Sequence, residues 1–450
     1  MKAFLYTTLF AALLPTFSHA APKNIIFMIG DGMGPAYLSA YRYYQDNPAT
    51  KQVETTVFDQ LWVGMASTYP DDDTIVTDSA AGATALATRT KSYNGAISVN
   101  HQHQPLTTLL EIAKAKGKAT GIISTSQINH ATPASFMAHN KSRKNYLEIA
   151  DDYVDNKVNQ QFVADLMFGG GTDFFIRPDR NLVNEFQQAG YQYADNWSQF
   201  NQIDRLPALA LLAPVGLPSA LDSSQPQQLT TMTATALALF SQRPEGFVLM
   251  IEGSQIDWCG HANDIACAMA EMDDFAKAVA LAKAYVDQHP DTLLVVTADH
   301  ETGGLSLGAD GFYAWDHAKI KGVTKTAAEL ARIMAKASPA EVANVWLKHT
   351  SLNLTAPELQ QLQDAHTMYL SAAKETSEPK QAKVQLDAIE EVIKHHINTH
   401  SRTGWTSGAH TAIDVPVMAW GTQRSDFAGF QDNTDIAHKL MSYLETAAKQ

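Results

Sequence analysis

Short apolar runs recur along the chain, and each ends at glycine or at small polar and charged residues. Unbroken apolar runs of this length are typical of strands buried on both faces of a sheet. The residues that follow them are typical of turns, so each run is predicted to end there. Strands are predicted in this way at 24–29, 119–123, 247–251, 293–296 and 416–420.

Segments with a helical pattern separate these runs, at 79–87, 106–116, 265–285 and 435–448. Strands that alternate with helices predict a parallel sheet with helices packed on its faces. The predicted fold class is therefore α/β: a three-layer α/β/α sandwich around a large, mostly parallel central sheet, with one helical insertion.

The insertion occupies about 321–400 and contains amphipathic helical patterns at 326–335, 356–373 and 382–396, with no strand pattern between them. Two interpretations remain open from the sequence. The insertion is either a lid or dimer clamp, or a packed elaboration of the surface.

Ligands of parallel α/β sheets bind beyond the carboxyl ends of the strands. Side chains that can bind metal follow the predicted strands directly, and they are Asp31, Glu252, Asp299 and His300. Turn chemistry alone does not explain why every one of them is a metal-binding type. A site at this edge of the sheet is predicted.

Ser79 begins an alanine-rich helical pattern directly after Asp78. A helix N-terminus offers free N–H groups and partial positive charge, which would hold a phosphoryl group on this serine. The alternative is that Asp78 or Ser79 only caps the helix. Arg143 adds a guanidinium that matches two phosphate oxygens, although in isolation it reads as part of an exposed basic run.

Further metal candidates lie elsewhere in the chain. Asp257 and His261 are four residues apart, and His410 precedes the last predicted strand. Carboxylate and imidazole ligands of this kind suit zinc, and three protein ligands leave a catalytic position open. Oxygen ligands such as Thr132 and Glu252 suit a harder ion such as magnesium.

Composition and charge exclude several classes of function. Of 450 residues, 45% are hydrophobic and 18% are charged, which excludes a disordered chain. The net charge of −14 repels a polyphosphate backbone, so no nucleic acid is expected as a specific partner. A small anionic substrate remains compatible with this charge, because bound metals reverse the field locally.

The N-terminus has the pattern of a secretory signal peptide. Lys2 precedes an apolar run at 4–14, and Ser18-His19-Ala20 resembles a cleavage site. We expect residues 1–20 to be removed, leaving a periplasmic or secreted protein without membrane attachment. The alternative is an anchored helix or a disordered tail. Cys259 and Cys267 could pair in such a compartment, but a helix starting between them makes pairing awkward, which slightly favours free, buried thiols.

Seven motifs in one order resemble the alkaline phosphatases of the bacterial periplasmic type. The resemblance runs from Asn24 to about Tyr443 except for the insertion, and it gives the catalytic domain as 21–450. The motifs are GDGMG at 30–34, TDSAA at 77–81, ATPA at 131–134, SR at 142–143, EGSQID at 252–257, TADHETGG at 297–304 and GAHT at 408–411.

The resemblance implies phosphate monoester hydrolysis through a phosphoserine on Ser79, two Zn²⁺ and one Mg²⁺ per subunit, and a homodimer. It implies three groups of metal ligands. The first zinc would be held by Asp257, His261 and His410. The second zinc would be held by Asp31, Asp299, His300 and the Ser79 alkoxide. The magnesium would be held by Asp31, Thr132 and Glu252.

The resemblance also implies that Arg143 clamps the phosphate and that Asp78 orients Arg143. Some family members carry a carboxylate at the position of His130 and a lysine at that of Trp258. Both positions adjoin the phosphate or the third metal, so the identity of that metal is the less secure part of the expectation.

Two alternatives fit parts of the pattern. A phosphodiesterase of the same superfamily would commonly use threonine and lack the arginine. A non-catalytic, exported metal- or phosphate-binding relative would need neither Ser79 nor Arg143. The presence of both residues favours a monoesterase.

Overall fold

The structure, a computed structural model, describes residues 21–225, 227–374 and 379–446. The predicted signal peptide at 1–20 lies outside the described residues. Within them, no helix combines the length and the apolar character needed to cross a membrane.

The strands of the central sheet are β1 (Asn24–Gly30), β2 (Trp62–Ser67), β3 (Ala119–Gln127), β6 (Leu166–Gly170), β7 (Gln192–Ala194), β8 (Ala208–Leu211), β9 (Phe247–Gly253), β10 (Thr292–Thr297), β15 (Val415–Gly421) and β16 (Gly429–Asp432). Short paired strands are β4 (Lys157–Val158), β5 (Gln161–Phe162), β11 (Glu301–Thr302), β12 (Ser306–Leu307), β13 (Thr403–Gly404) and β14 (His410–Thr411).

The helices before the insertion are α1 (Pro35–Gln45), α2 (Val57–Leu61), α3 (Ser79–Thr88), α4 (Leu109–Ala115), α5 (Ala131–Ala134), α6 (Tyr146–Asp155), α7 (Thr172–Phe175), α8 (Leu182–Gln188), α9 (Trp197–Phe200), α10 (Gln228–Phe240), α11 (Gln255–His261) and α12 (Ile265–Gln288). The later helices are α13 (Ala327–Ala335), α14 (Val342–Thr350), α15 (Ala356–Lys374), α16 (Pro379–Ser401) and α17 (Asn433–Thr446), with 3₁₀ turns at His317–Lys319 and Arg424–Phe427.

The central sheet has ten strands in the order β16-β2-β15-β10-β1-β9-β3-β6-β8-β7. β15 runs antiparallel to both of its neighbours, and every other neighbouring pair in the sheet is parallel. β1, β9 and β10 are buried along their whole length, as their unbroken apolar sequences predict. The predicted fold class is confirmed.

The register of the three central strands brings distant parts of the sequence to one edge. Gly30 of β1 lies opposite Gly253 of β9, and Ile29 lies opposite both Glu252 and Thr297. The parallel strands therefore end together, and the residues that follow them meet at the carboxyl edge of the sheet.

All five predicted strands and all four predicted helices outside the insertion are present. Helix α4 begins at Leu109 rather than at 106, because Thr108 and Glu111 form a capping box that fixes its first turn. In the insertion, α13, α15 and α16 follow the predicted segments, and α14 is an additional helix that the sequence pattern did not predict.

The sequence leaves the state of Cys259 and Cys267 open with a slight preference for free thiols, and that preference is wrong. The two residues form a disulfide with a Cα–Cα distance of 5.4 Å. A helix does begin between them, as the objection to pairing supposed. However, α11 ends at His261 and the chain turns before α12, so Cys259 and the first turn of α12 lie side by side.

Candidate active site

Three fully buried polar residues meet where β1 and β10 end. Asp31 follows β1, and Asp299 and His300 follow β10. The His300 Nε2 atom lies 3.3 Å from Asp31 Oδ1 and 3.4 Å from Asp299 Oδ2. One ligand atom from each residue lies within 4.8 Å of the other two, so the group can hold a metal ion.

A second group adjoins the first. Helix α11 turns Asp257 and His261 to one side because they are four residues apart. His410 arrives from β14, which pairs with β11. The Nε2 atoms of His261 and His410 are 3.1 Å apart, and they lie 3.4 and 3.5 Å from Asp257 Oδ1. These residues form another potential metal-binding group.

All three imidazoles in these groups are oriented by an oxygen atom at Nδ1. The Nδ1 atom of His261 donates to the Gly408 carbonyl at 2.9 Å, and that of His410 donates to the Thr77 carbonyl at 2.8 Å. A carbonyl only accepts, so each Nδ1 carries the proton and each Nε2 lone pair faces the carboxylates. Histidines that bind metals are usually held in this way.

The Thr302 hydroxyl links the two groups, and the sequence analysis did not single it out. It donates to Asp257 Oδ1 at 2.5 Å and lies 3.2 Å from His300 Nδ1. With its proton given to the carboxylate, the hydroxyl accepts from Nδ1 and leaves the Nε2 lone pair of His300 free. Its place two residues after His300 in a predicted ligand motif was the available signal.

Ser79 is the first residue of α3 and is almost completely buried. Its Oγ atom lies 3.1 Å from His300 Nε2, beside the group of Asp31, Asp299 and His300. Asp78 caps the helix by accepting from the Ala81 N–H. The capping interpretation and the functional one therefore apply to neighbouring residues: Asp78 caps the helix, and Ser79 faces the cluster.

The close approach of α3 to β10 depends on a glycine. A Cβ atom on Gly82 would lie 2.8 Å from the Asp299 carbonyl oxygen, which is closer than real contacts allow. A larger residue would push the first turn of α3, and Ser79 with it, away from the residues that follow β10.

Arg143 is held at the edge of the site by two partners. Its Nη1 atom donates to Asp78 Oδ2 at 3.0 Å, and its Nη2 atom lies 3.3 Å from His130 Nε2. Burial works to lower the pKa of Arg143, but the Asp78 carboxylate outweighs it and the net shift is upward. The guanidinium is therefore a fixed positive charge beside Ser79.

A third potential metal-binding group shares Asp31 with the group of Asp299 and His300. His130 and Glu252 approach Asp31, with one ligand atom of each within 4.8 Å of the others, and the Thr132 hydroxyl is completely buried. Trp258 packs edge-on against His130 with ring centroids 5.9 Å apart. Among the described residues, Trp258 makes no hydrogen bond to these carboxylates. Its ring contact makes it part of the wall around His130.

Many buried polar atoms of the site have no hydrogen-bond partner among the described residues. They are both carboxylate oxygens of Asp31 and of Glu252, Asp299 Oδ2, Thr132 Oγ1 and His130 Nδ1. Leaving such atoms unpaired costs about 1–3 kcal/mol each, and more for charged groups. Their convergence is explained if cations occupy the space between them.

The pKa values indicate the same deficit of positive charge. Burial and the Asp299 carboxylate raise the pKa of Glu252 to about 8, and burial and the Asp257 carboxylate raise that of Asp299 to about 7. Burial and neighbouring carboxylates raise the pKa of Asp31 well above its usual range. Burial and the Arg143 charge lower the pKa of His130 to about 3, which keeps it neutral.

The structure brings together every site residue that the sequence predicted. Acidic and imidazole side chains from segments more than 200 residues apart surround one serine at a helix N-terminus, and an arginine pairs with the aspartate directly before that serine. A nucleophile beside paired metal-binding groups and a phosphate-matching guanidinium is typical of metal-dependent hydrolases of phosphate esters.

Comparison with known proteins narrows this class. The alkaline phosphatase family model matches residues 22–446. Alkaline phosphatase 3 of Bacillus subtilis (strain 168) is 45% identical over 426 residues, covering 94% of this chain and 89% of that protein. The chain therefore belongs to the alkaline phosphatase family, and it is a metal-dependent enzyme that hydrolyses phosphate monoesters through a phosphoserine intermediate.

Solved structures agree. The cold-active alkaline phosphatase of the psychrophile Shewanella sp. superposes with a TM-score of 0.86 at 47% identity, covering 94% of this chain and 99% of that one. The alkaline phosphatase of the Antarctic bacterium TAB5 has a TM-score of 0.69 at 26% identity, with 95% and 99% covered. Variants of the TAB5 enzyme with a histidine replaced by aspartate or glutamate have Mg bound in its M3 site.

Proposed function

We propose that Ser79 is the residue that receives the phosphoryl group, between two zinc sites. The observation that carries this proposal is the position of Ser79 Oγ, 3.1 Å from His300 Nε2 and at the positive end of α3. Two acidic–imidazole groups and one guanidinium converge on the same place, as in-line phosphoryl transfer requires.

The donor atoms fit the proposed metals. Asp257, His261 and His410 would hold the first zinc, because their oxygen and Nε2 atoms converge and leave a fourth position free. Asp31, Asp299, His300 and Ser79 would hold the second. When bound, the two ions supply Lewis-acid stabilisation of negative charge on the attacking and leaving oxygens.

Asp31, Thr132 and Glu252 would hold the proposed magnesium. Their oxygen atoms are the ligands that this ion prefers, and the buried oxygens of Asp31, Thr132 and Glu252 lack partners among the described residues. His130 faces the same space with a nitrogen atom, which is a softer ligand. The magnesium reported for histidine-substituted variants of the TAB5 enzyme supports a third site whose preference depends on such a position.

The chain's own residues divide the reaction into two displacements. The Ser79 hydroxyl gives its proton to solvent, and Oγ attacks phosphorus while the bond to the ester oxygen breaks. The departing alkoxide takes up a proton and leaves as the alcohol. Water then attacks the phosphoserine, the bond from phosphorus to Oγ breaks, Oγ takes up a proton, and inorganic phosphate is released. The sum is one ester and one water consumed, and one alcohol and one phosphate formed.

Arg143 would bind two nonbridging phosphate oxygens in both displacements. The Asp78 carboxylate fixes one edge of the guanidinium at 3.0 Å, so the fork is oriented before substrate arrives. His130 and Trp258 would line the same side of the phosphate. The backbone N–H groups at the start of α3 add partial positive charge where the phosphoserine forms.

We further propose an exported enzyme that assembles as a homodimer. Residues 1–20 have the pattern of a signal peptide, residues 21–450 would form one catalytic domain with the insertion at about 321–400, and the Cys259–Cys267 disulfide is typical of an oxidising compartment. N-terminal sequencing of the exported protein should begin at Ala21, and light scattering should give twice the monomer mass.

Trapping of the intermediate tests the proposed nucleophile. The zinc-loaded protein is mixed with radiolabelled phosphate at low pH, quenched and digested, and the labelled peptide is sequenced. We expect the label on Ser79 and none on the Ser79→Ala variant, while Ser135→Ala, another buried serine, keeps it. Label elsewhere, or its absence from protein that carries its metals, would contradict the proposal. A clear preference for bis-p-nitrophenyl phosphate over p-nitrophenyl phosphate would contradict the monoesterase activity.

A further inference from the structure

The helix that carries Asp257 and His261 is short and ends at the site. Helix α11 has 7 residues, and His261 is its last residue. A helix of two turns is not stable by itself. The His261 side chain is 40% exposed, unlike the buried Asp257. The position of the His261 imidazole therefore depends on what holds the chain directly after it.

Asp264, three residues later, ties this point to the insertion. Its Oδ1 atom accepts from the N–H groups of Ala266 and Cys267 and so caps α12. Its Oδ2 atom accepts from the Ala327 N–H, the first residue of α13, at 2.7 Å. One buried carboxylate thus joins the chain beyond His261 to the first helix of the insertion.

The far end of the insertion returns to the same point. The Asn398 side chain of α16 donates from Nδ2 to the Asn263 carbonyl at 2.9 Å. Lys394, one turn earlier, is close enough to Asp264 for its charge to counter the upward effect of burial on the pKa of that carboxyl. Both ends of the insertion therefore contact residues 263–264.

The chain that follows the insertion completes the support of His261. When the Asn263 side-chain nitrogen faces the Gly260 and Ser407 carbonyls, it donates to both, each at 2.9 Å. The next carbonyl, that of Gly408, accepts from His261 Nδ1. The Cys259–Cys267 disulfide also joins α11 to α12.

We propose that the insertion braces the first zinc site, with Asp264 and Asn398 as positioning residues that act through the chain beyond His261. This proposal rests on the proposed function, since it requires a zinc ion at Asp257, His261 and His410. It gives the insertion a role that differs from a lid and from a passive surface elaboration. Groups that hydrogen-bond a metal ligand directly change metal affinity by about 10–100-fold, and we expect about tenfold for these residues, which act one contact further out.

The test compares zinc release from the holoenzyme of Asp264→Asn and Asn398→Ala with that of a matched control, Asp274→Asn. Asp274 is also a buried aspartate of α12 that accepts from the N-terminal amides of a second helix, at Leu229 and Thr230 of α10. It lies outside the insertion and away from His261. Asn398→Ala removes one donor and is the milder variant if Asp264→Asn folds poorly.

Zinc release is followed with a chromophoric chelator, and thermal unfolding is measured in parallel. We expect wild type to hold two zinc equivalents. Asp264→Asn and Asn398→Ala should each release one of them about tenfold faster while the other is unchanged. Adding His261→Ala should remove the fast phase. Asp274→Asn should unfold at a lower temperature with wild-type release of both equivalents.

Two results would contradict the proposal that the insertion braces the first zinc site. In one, Asp264→Asn and Asn398→Ala lower the unfolding temperature like the control but release both equivalents at the wild-type rate, which makes the insertion purely structural. In the other, both equivalents leave faster together. Failure of the proposed function gives a different result, because wild-type protein would then not hold two zinc equivalents at all.

Discussion

Two groups of charged side chains in this molecule differ in whether their charges are paired within the protein. In the active site, Asp31, Glu252 and Asp299 are buried with oxygen atoms that lack partners among the described residues. The arginine network, formed by Arg177 and Arg180 with the four acidic residues they contact, pairs its charges instead. The contacts are Arg177 to Asp151 at 2.6 Å and to Asp179 at 3.2 Å, and Arg180 to Asp155 and to Glu185 at 2.7 Å each.

The pKa shifts of the two groups have opposite signs. Hydrogen bonds from Arg180 lower the pKa values of Asp155 and Glu185 below their usual range. Burial and the neighbouring carboxylate raise that of Glu252 to about 8. Charges that satisfy each other stabilise a fold, whereas buried carboxylates left without a cation indicate a place prepared for one.

Removal of metal should give the largest difference between the two groups. We expect exhaustive chelation to lower kcat/KM by about 10³-fold or more, because several kcal/mol of charge stabilisation is lost. Zinc, with magnesium, should restore activity. Arg180→Gln, in the arginine network, should lose and recover activity as wild type does. Full activity in protein shown by elemental analysis to be metal-free would contradict the interpretation that the active-site carboxylates bind cations.

Loss of a charge in the arginine network should affect stability alone. The Arg177 side chain is 4% exposed, so Arg177→Met removes its hydrogen bonds to Asp151 and to the Phe174 carbonyl, although Asp151 keeps Arg180 at 3.4 Å. The free energy of unfolding should fall by about 1–3 kcal/mol. The expected loss of stability is modest because Asp179 is largely exposed and its charge is screened by solvent. Urea unfolding and steady-state kinetics check this, with kcat and zinc content unchanged. Arg205→Met, at an exposed pair, should cost about 0–1 kcal/mol.

Neutralising an active-site carboxylate should stabilise the metal-free protein while weakening the holoenzyme. The pKa of Asp299 is raised to about 7 by burial and by Asp257, against about 4 in an unfolded chain. Metal-free wild type therefore loses stability as pH rises from about 4 to about 7. Asp299→Asn should remove that loss and gain about 1–3 kcal/mol in urea unfolding at neutral pH.

The matched control for Asp299→Asn is Asp155→Asn, whose pKa is shifted the other way by Arg180. A lowered pKa contributes stability above the unfolded value and loses it as pH falls, so this variant should gain nothing at neutral pH. If Asp299→Asn also destabilises the metal-free protein, the active-site carboxylates are not strained by their mutual repulsion.

The smallest expected effect concerns the third group. His130→Asp supplies a hard oxygen ligand beside Asp31 and Glu252, so the affinity for magnesium should rise about tenfold. Magnesium titration of the zinc-loaded protein, followed by calorimetry, measures it. His139→Asp, at a histidine paired with Glu111 away from the site, serves as the control. Unchanged affinity in His130→Asp would show that His130 does not face the third metal.

Much of the fold was accessible from the sequence because its central strands are apolar throughout. The strands β1, β3, β9, β10 and β15 were predicted, since burial on both faces leaves an unbroken apolar run. Strands such as β7, with three residues, and the partly buried β2 lack that signal and were missed. Their position is decided by pairing with neighbours rather than by their own sequence.

The site was predicted in a different way. Local pattern placed Asp31 and Asp299 at strand ends, but only the resemblance assigned His261 and His410 to one metal. The imidazoles lie 149 positions apart in the chain, and no local pattern shows that they meet. The Thr302 bridge and the disulfide were not predicted, because both depend on how the chain turns after His300 and after α11.

We propose that the buried carboxylates and the imidazoles of the active site hold a pair of zinc ions against Ser79. Anomalous diffraction from crystals of the purified enzyme, recorded above and below the zinc edge, tests this arrangement most directly. We predict two zinc peaks, one among Asp257, His261 and His410 and one among Asp31, Asp299 and His300. Active crystals with no anomalous signal at either position, or with a single peak elsewhere, would contradict it.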